Sequence, residues 1–184
     1  MRSFHNQSGS AAKHYERTCG RGDGYNRRHC KRSGERSLKL ARMEIRRLTI
    51  KDYEKIIKLW SRANLPYKPK GRDSKEAIAT QMRANPNFFL GAYEDDNLVG
   101  VVIVSCDLRK GWINRLAVDP RYRHRGVAKA LVNEAEKVLR ERGINIFCAL
   151  IENSNVASKE LFKKCGYVEH RDIIYFSKRD SDEI

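Results

Sequence analysis

One stretch, INRLAVDPRYRHRGVAKALVNEAEKVLRER at residues 113–142, constrains the chain more than any other. Ile113 to Val118 is apolar and β-prone, interrupted by Asn114 and Arg115, and reads as a strand. Asp119-Pro120 ends it, because proline has no N–H to give a ladder. Arg121 to Arg125 is a short basic loop, and Gly126 lets the backbone approach a ligand closely as a helix begins. That helix carries Val127, Leu131, Ala135, Val138 and Leu139 on one stripe at helical spacing. Lys137, Arg140 and Arg142 suit its C-terminal end, and Gly143 stands where a C′ glycine belongs.

Strand, basic loop, glycine and helix together make the layout of an anion site. First-turn N–H groups have no helical partner, and the helix dipole turns its positive end to the loop. Taken alone, the loop is better read as an ordinary βα connection with solvated arginines. A Walker A loop is excluded, since no Gly-Lys-Ser/Thr follows, and the three spaced glycines of a dinucleotide fingerprint are absent.

Two fuller patterns narrow the choice. Leu116-Ala117-Val118-Asp119-Pro120 followed by Arg123-x-x-Gly126-x-Ala128 resembles the acetyl-CoA pyrophosphate loop of the GNAT superfamily of N-acetyltransferases. Downstream, Asn155-x-x-Ser158-x-x-Leu161-Phe162-x-x-Cys165-Gly166-Tyr167 is similar to that family's second motif, in the expected order and separation. The resemblance covers residues 43–178 and implies an α/β fold, a mixed central sheet with flanking helices. It implies acetyl-CoA as the acetyl donor. The sheet would splay between residues 113–118 and 144–151, and main-chain groups of Leu116, Ala117 and Val118 would bond the pantetheine arm. An N–H near Leu116 would hold the acetyl carbonyl. Amides of Arg123, His124, Arg125, Gly126, Val127 and Ala128 would hold the pyrophosphate, with charge from Arg121, Arg125 or Lys129. Asn155 would contact the cofactor arm.

The resemblance also shows departures. The family's usual acid, a tyrosine, is replaced by Phe162. A phenyl ring cannot protonate a leaving thiolate. The glutamate that the histone-modifying branch carries early in the central strand is missing, the place being taken by Trp112 with Asn114 beside it. Glu152 is the candidate base, acting through water, and a solvated loop-end carboxylate is the competing account of it. Tyr67 in the loop Leu65 to Lys70, with Trp112 and Asn114, is expected to shape the acceptor site. The expected reaction is transfer of an acetyl group to a primary amine: a protein N-terminus, a lysine or a small amine. The alternatives are a catalytically weak acyl-CoA sensor, or a nucleic-acid-binding protein using a basic arm.

Composition bounds the partners. Lys and Arg number 38 against 23 Asp and Glu, a net charge of +15 in 184 residues, which favours anionic partners or simply keeps the chain soluble. The five cysteines, odd in number and scattered, make no disulfide framework and suit a reducing cytoplasm. No apolar run is long enough to span a bilayer, and no signal-peptide core is present. The resemblance implies an amine acceptor, small molecule or protein, as the expected partner, rather than a membrane or nucleic acid, for a monomer or homodimer.

Along the chain, residues 1–42 are rich in Ser, Gly, Asn, Arg and Lys with few apolar residues, and are expected to be a disordered basic extension. A nucleic-acid arm, a targeting peptide, and a metal site at His14, Cys19, His29 and Cys30 are its functional alternatives. An upstream extension without function is the preferred reading. Residues 43–184 form the expected acetyltransferase domain. The patterns predict strands at 43–48, 88–93, 98–108, 113–118 and 144–151, the last buried on both faces, and a final strand pair over 167–176. They predict helices at 53–63, from Asp73 or Ser74 to 82, at 126–142, and from Asn153 or Asn155 to 165. Thr49 and Asp52 resemble a capping box.

Overall fold

Alternation at Met43–Arg47 gives the edge strand β1, as the sequence predicts. The structure, a computed structural model, describes residues 43–181, all within one compact unit. The extension read over residues 1–42, with its alternatives, lies outside the described residues. Asp52 closes the predicted capping box, its Oδ2 accepting from Thr49 N at 3.0 Å and Thr49 Oγ1 at 3.1 Å. Helix α1 (Tyr53–Arg62) then buries Tyr53, Ile56, Leu59 and Trp60. Each such side chain contributes about 1.5–3 kcal/mol when fully removed from water. Helix α2 (Lys75–Ala84) is capped by Ser74, whose Oγ accepts from Ala77 N at 3.2 Å.

Strands β2 (Phe89–Glu94) and β3 (Asn97–Cys106) form a hairpin. Its two central residues, Asp95 and Asp96, have φ of 47° and 62°, the left-handed pair that matches strand twist. Leu98 through Val104 are all buried, so both faces of β3 are covered. The helices packed on β3 are α1 and α3 (Val127–Arg140), one for each face. Gly100 admits α3: a Cβ there would lie 2.9 Å from both Leu131 Cδ1 and Val127 Cγ1.

Strand β4 (Gly111–Val118) runs antiparallel to β3. Between the pairs Val101–Ala117 and Ile103–Asn114, β4 spends one more residue than β3, which makes a β-bulge. Arg115 sits in it with φ 53°, a left-handed conformation that a long side chain adopts only where its surroundings hold it. β5 (Phe147–Cys148) pairs parallel to β4, and the sheet order is β1-β2-β3-β4-β5. Helix α4 (Val156–Lys164) follows, capped by Asn155 rather than Asn153.

The C-terminal third corrects two expectations. The strand predicted over 144–151 is reduced to two residues, and its flanks Ile146 and Leu150 are more than half exposed instead of buried on both faces. The strand pair predicted over 167–176 is not formed among the described residues, and Ile173, Ile174, Tyr175 and Phe176 are 67–86% exposed. The two differences share a cause. A strand needs lateral hydrogen-bond partners, and among the described residues β5 has no neighbour on its far edge and only the two pairings to β4 to hold it.

Candidate active site

The β4–β5 ladder contains only Gly111 with Phe147 and Trp112 with Cys148. Beyond those pairs the strands part, and the edge of β4 that faces β5 is unpaired from Ile113 to Val118. The wedge therefore exposes main-chain groups along the residues the sequence assigned to the pantetheine arm. Leu116 and Val118 are half-buried, and Ala117 is fixed by its pairing to Val101 in β3.

At the end of β4 the chain turns through a short 3-10 turn at Pro120–Tyr122 into the basic loop. Arg123, His124, Arg125 and Gly126 are exposed, while Val127 packs inward. His124 and Gly126 take φ of 61° and 81°, both in the left-handed region. Gly126 is the N-cap of α3, has no side chain to cap with, and no acidic residue lies in the first turn. Ala130 N is the first to find a helical acceptor, Gly126 O at 3.0 Å. The preceding amides, through Ala128 and Lys129, have no helical acceptor upstream. The helix start thus presents unpaired N–H groups at the positive end of its dipole.

The loop's arginines lie along the protein surface. Arg121 is bound to Asp119, through Nε at 3.1 Å and Nη2 at 3.0 Å. Arg123 Nη2 reaches Ala63 O at 3.5 Å, and Arg125 approaches Glu94 at 3.7 Å over the Tyr122 ring. Asp119 is the anchor: its side chain is 2% exposed and also accepts from Arg62 Nε of α1 at 2.8 Å. The Arg121 guanidinium foremost holds its carboxyl at about 2, against the cost of burial.

Other expected residues are scattered. Asn155 Oδ1 is spent on capping α4, accepting from Ser158 N at 3.0 Å. Phe162 is buried, 6% exposed, with its ring edge-on to Tyr167 at 4.9 Å. Tyr167 does not replace the missing acid. Its hydroxyl donates to Glu136 Oε1 at 3.0 Å, and burial first, then that carboxylate, raises its pKa well above the phenolic value. Glu152 is exposed in the turn before α4, where its carbonyl accepts from Asn155 N at 2.9 Å. Trp112 and Phe162 line one groove along β5, which Tyr67, Asn114, Glu152 and Asn155 do not reach. Asn114 Nδ2 donates to Ser105 Oγ at 3.0 Å, and Tyr67 packs on Trp60 at 6.3 Å between ring centres.

Two arrangements escaped the sequence reading. One is the Asp119 clamp. The other is Arg115, half-buried in the bulge, which pairs with the buried Asp73, donates to Pro66 O at 2.7 Å and stacks on Trp60 at 4.5 Å. The signal for the second was present: a charge in the middle of an apolar central strand requires a buried partner.

Comparison with known proteins agrees with this geometry. Residues 46–167 match the acetyltransferase (GNAT) family. An acetyltransferase of Photorhabdus laumondii subsp. laumondii is 33% identical over 138 residues, 74% of this chain and 95% of that protein. The PaiA N-acetyltransferase of Thermoplasma acidophilum, solved with coenzyme A, superposes with a TM-score of 0.59 at 27% identity, over 67% of this chain and 88% of that one. The glucosamine-6-phosphate N-acetyltransferase of Arabidopsis thaliana shares the fold, with a TM-score of 0.60 at 21% identity over 76% and 99% of the two chains. The chain belongs to the acetyltransferase (GNAT) family. It is an enzyme, and acetyl-CoA is its acetyl donor. Among the described residues, no helix is long and apolar enough to cross a membrane.

Proposed function

We propose that the chain acetylates a primary amine whose free base is cheaply reached near pH 7 to 8, a protein N-terminus or a weakly basic small amine, in preference to a lysine side chain. One observation carries acetyl transfer from a bound thioester, on which the acceptor reading below builds: the wedge between β4 and β5 opens past Trp112 and leads to the uncapped start of α3. Acetyl-CoA supplies an activated acetyl group as a thioester. Main-chain groups of Leu116, Ala117 and Val118 orient its arm, and an N–H near Leu116 polarises the carbonyl. Amides from Arg123 to Ala128, with Lys129 and the dipole of α3, bind the diphosphate. Asn155 holds the start of α4 beside the arm.

The amine nitrogen attacks the carbonyl carbon, the carbon–sulfur bond breaks, and the amine gives up a proton. Reaching the free base at pH 7 costs about 4–5 kcal/mol for lysine and about 1 kcal/mol for a protein N-terminus. Tyr67, Trp112 and Asn114 carry no carboxylate, and the one acid of the neighbouring loop, Asp73, is neutralised by Arg115. Glu152, open to solvent, serves as base only through water. This set of residues supports the less basic acceptor. With Phe162 inert and Tyr167 tied to Glu136, the sulfur departs as thiolate, which a thiol pKa of about 8.5 permits near neutrality.

The test is thiol release from acetyl-CoA with a peptide bearing a free N-terminus, an N-terminally blocked peptide with an internal lysine, and glucosamine. The free N-terminus or the sugar amine should react fastest. Preference for the lysine peptide would overturn the acceptor assignment, and no release with any amine would overturn N-acetylation.

A further inference from the structure

The bulge that interrupts β4 and the loop between α1 and α2 are held together by one side chain. Arg115 has a left-handed backbone, φ 53°, at the point where β4 carries its extra residue. Its guanidinium meets the Asp73 carboxylate and Pro66 O, and lies 4.5 Å from the centre of the Trp60 ring. The two charged side chains are 18% and 6% exposed. Asp73 in turn organises the loop. Its Oδ2 accepts from Lys68 N at 2.8 Å, its backbone N donates to Lys68 O at 3.1 Å, and its carbonyl accepts from Tyr53 OH at 2.9 Å. Tyr67 rests on the same Trp60 ring.

A left-handed arginine is costly, and a buried ion pair is costly to break, so the pair holds the backbone in a conformation it would otherwise leave. With the pair made, bulge and loop adopt one relative position. Leu116, beside the N–H proposed above to polarise the thioester carbonyl, follows Arg115 directly in the chain. We propose that Arg115 is a positioning residue for acetyl transfer: through Asp73 and Pro66 it ties the acceptor loop to the strand that orients the thioester. Filling the wedge with acetyl-CoA then steadies the loop, and the amine meets the carbonyl in register. The inference rests on the acceptor loop belonging to the proposed amine site.

The test compares wild type, Arg115→Ala, Arg115→Lys and Asp73→Asn. Acetyl-CoA affinity should stay within about threefold of wild type in all three variants, because the diphosphate loop is separate. For the best amine of the panel above, kcat/KM should fall about 100-fold in Arg115→Ala, the scale of a small misplacement of reactants. Arg115→Lys, which keeps the charge without the fork, should recover part of it. A second readout needs no acceptor. Acetyl-CoA should slow tryptic cleavage after Lys70 and Arg72 by about fivefold or more in wild type, and should lose this effect in Arg115→Ala.

Unchanged kcat/KM in Arg115→Ala would overturn the proposal. So would a parallel loss of acetyl-CoA affinity and acceptor turnover, which marks a purely structural role. If Arg115→Ala fails to fold, Asp73→Asn, of nearly the same volume, decides by the same two readouts. If wild type acetylates no amine, the acceptor reading falls, and the cleavage experiment alone decides whether Arg115 couples loop and wedge.

Discussion

Replacing Asp119 by asparagine should cost stability in a pH-dependent way that identifies its cause. The Asp119 carboxylate is buried and held by Arg121 and Arg62, with its pKa depressed from 3.8 to about 2. One unit corresponds to about 1.4 kcal/mol, and both guanidiniums reach solvent, which screens part of the attraction, so about 2 kcal/mol is expected. Because the folded value lies below the unfolded one, this stability is fully present above pH ~4. It is lost as pH falls through the folded value of about 2. Roughly half should be gone at pH 3. Urea denaturation of wild type and Asp119→Asn from pH 7 down to pH 3 measures the difference directly. Other acids with lowered values, such as Asp52 and Glu169, cancel in that difference. A gap that keeps its size from pH 7 to pH 3, or that is under about 0.5 kcal/mol at pH 7, would refute the assignment of the clamp as a charge interaction.

Gly126→Val should fold with about 1–2 kcal/mol less stability, because φ is 81° there, and should lose most of the rise in Tm that acetyl-CoA gives the parent. No atom lies within 4 Å of a Cβ built at Gly126, so a normal cofactor affinity in this variant would refute the role of the bare helix start. Phe162→Tyr places a hydroxyl in a position only 6% exposed, and should lower stability by about 1–3 kcal/mol without lowering turnover. A large fall in steady-state turnover with acetyl-CoA affinity intact would show that the ring's packing serves the chemistry. A chain beginning at Met43 should fold and bind acetyl-CoA like the whole, as differential scanning fluorimetry would report; loss of binding would place residues 1–42 in the domain.

Helix α3 was legible almost residue by residue. Val127, Leu131, Ala135, Val138 and Leu139 are all at most 4% exposed, because the helical period is a local property and Gly126 and Gly143 mark its ends locally. The capping box at Thr49 and Asp52 was readable for the same reason. The strand at 144–151 was not, because its apolar run reports strand propensity and says nothing of whether a neighbour is in place on its far edge. Asp119 was visible only as a strand terminator, since Arg62, its partner in α1, lies 57 residues away in sequence. Arg115 announced itself as an anomaly in β4, but Asp73, one of several acids upstream, could be matched to it only in three dimensions. Asn155 was readable as one of two possible caps of α4, and the structure puts its carboxamide oxygen in that cap.

The open edge of β5 bears on how the protein behaves in bulk. Ile146, Leu150 and the run Ile173 to Phe176 present an apolar surface to water, and among the described residues the far edge of β5 has no strand partner, the combination from which sheet-to-sheet aggregation starts. The opposing influence is the net charge of +15, which keeps like molecules apart. That repulsion reaches only about 8 Å at physiological ionic strength and shortens as salt is added, while the apolar attraction persists. Added salt should therefore tilt the balance toward association, an outcome that light scattering across a salt series would check.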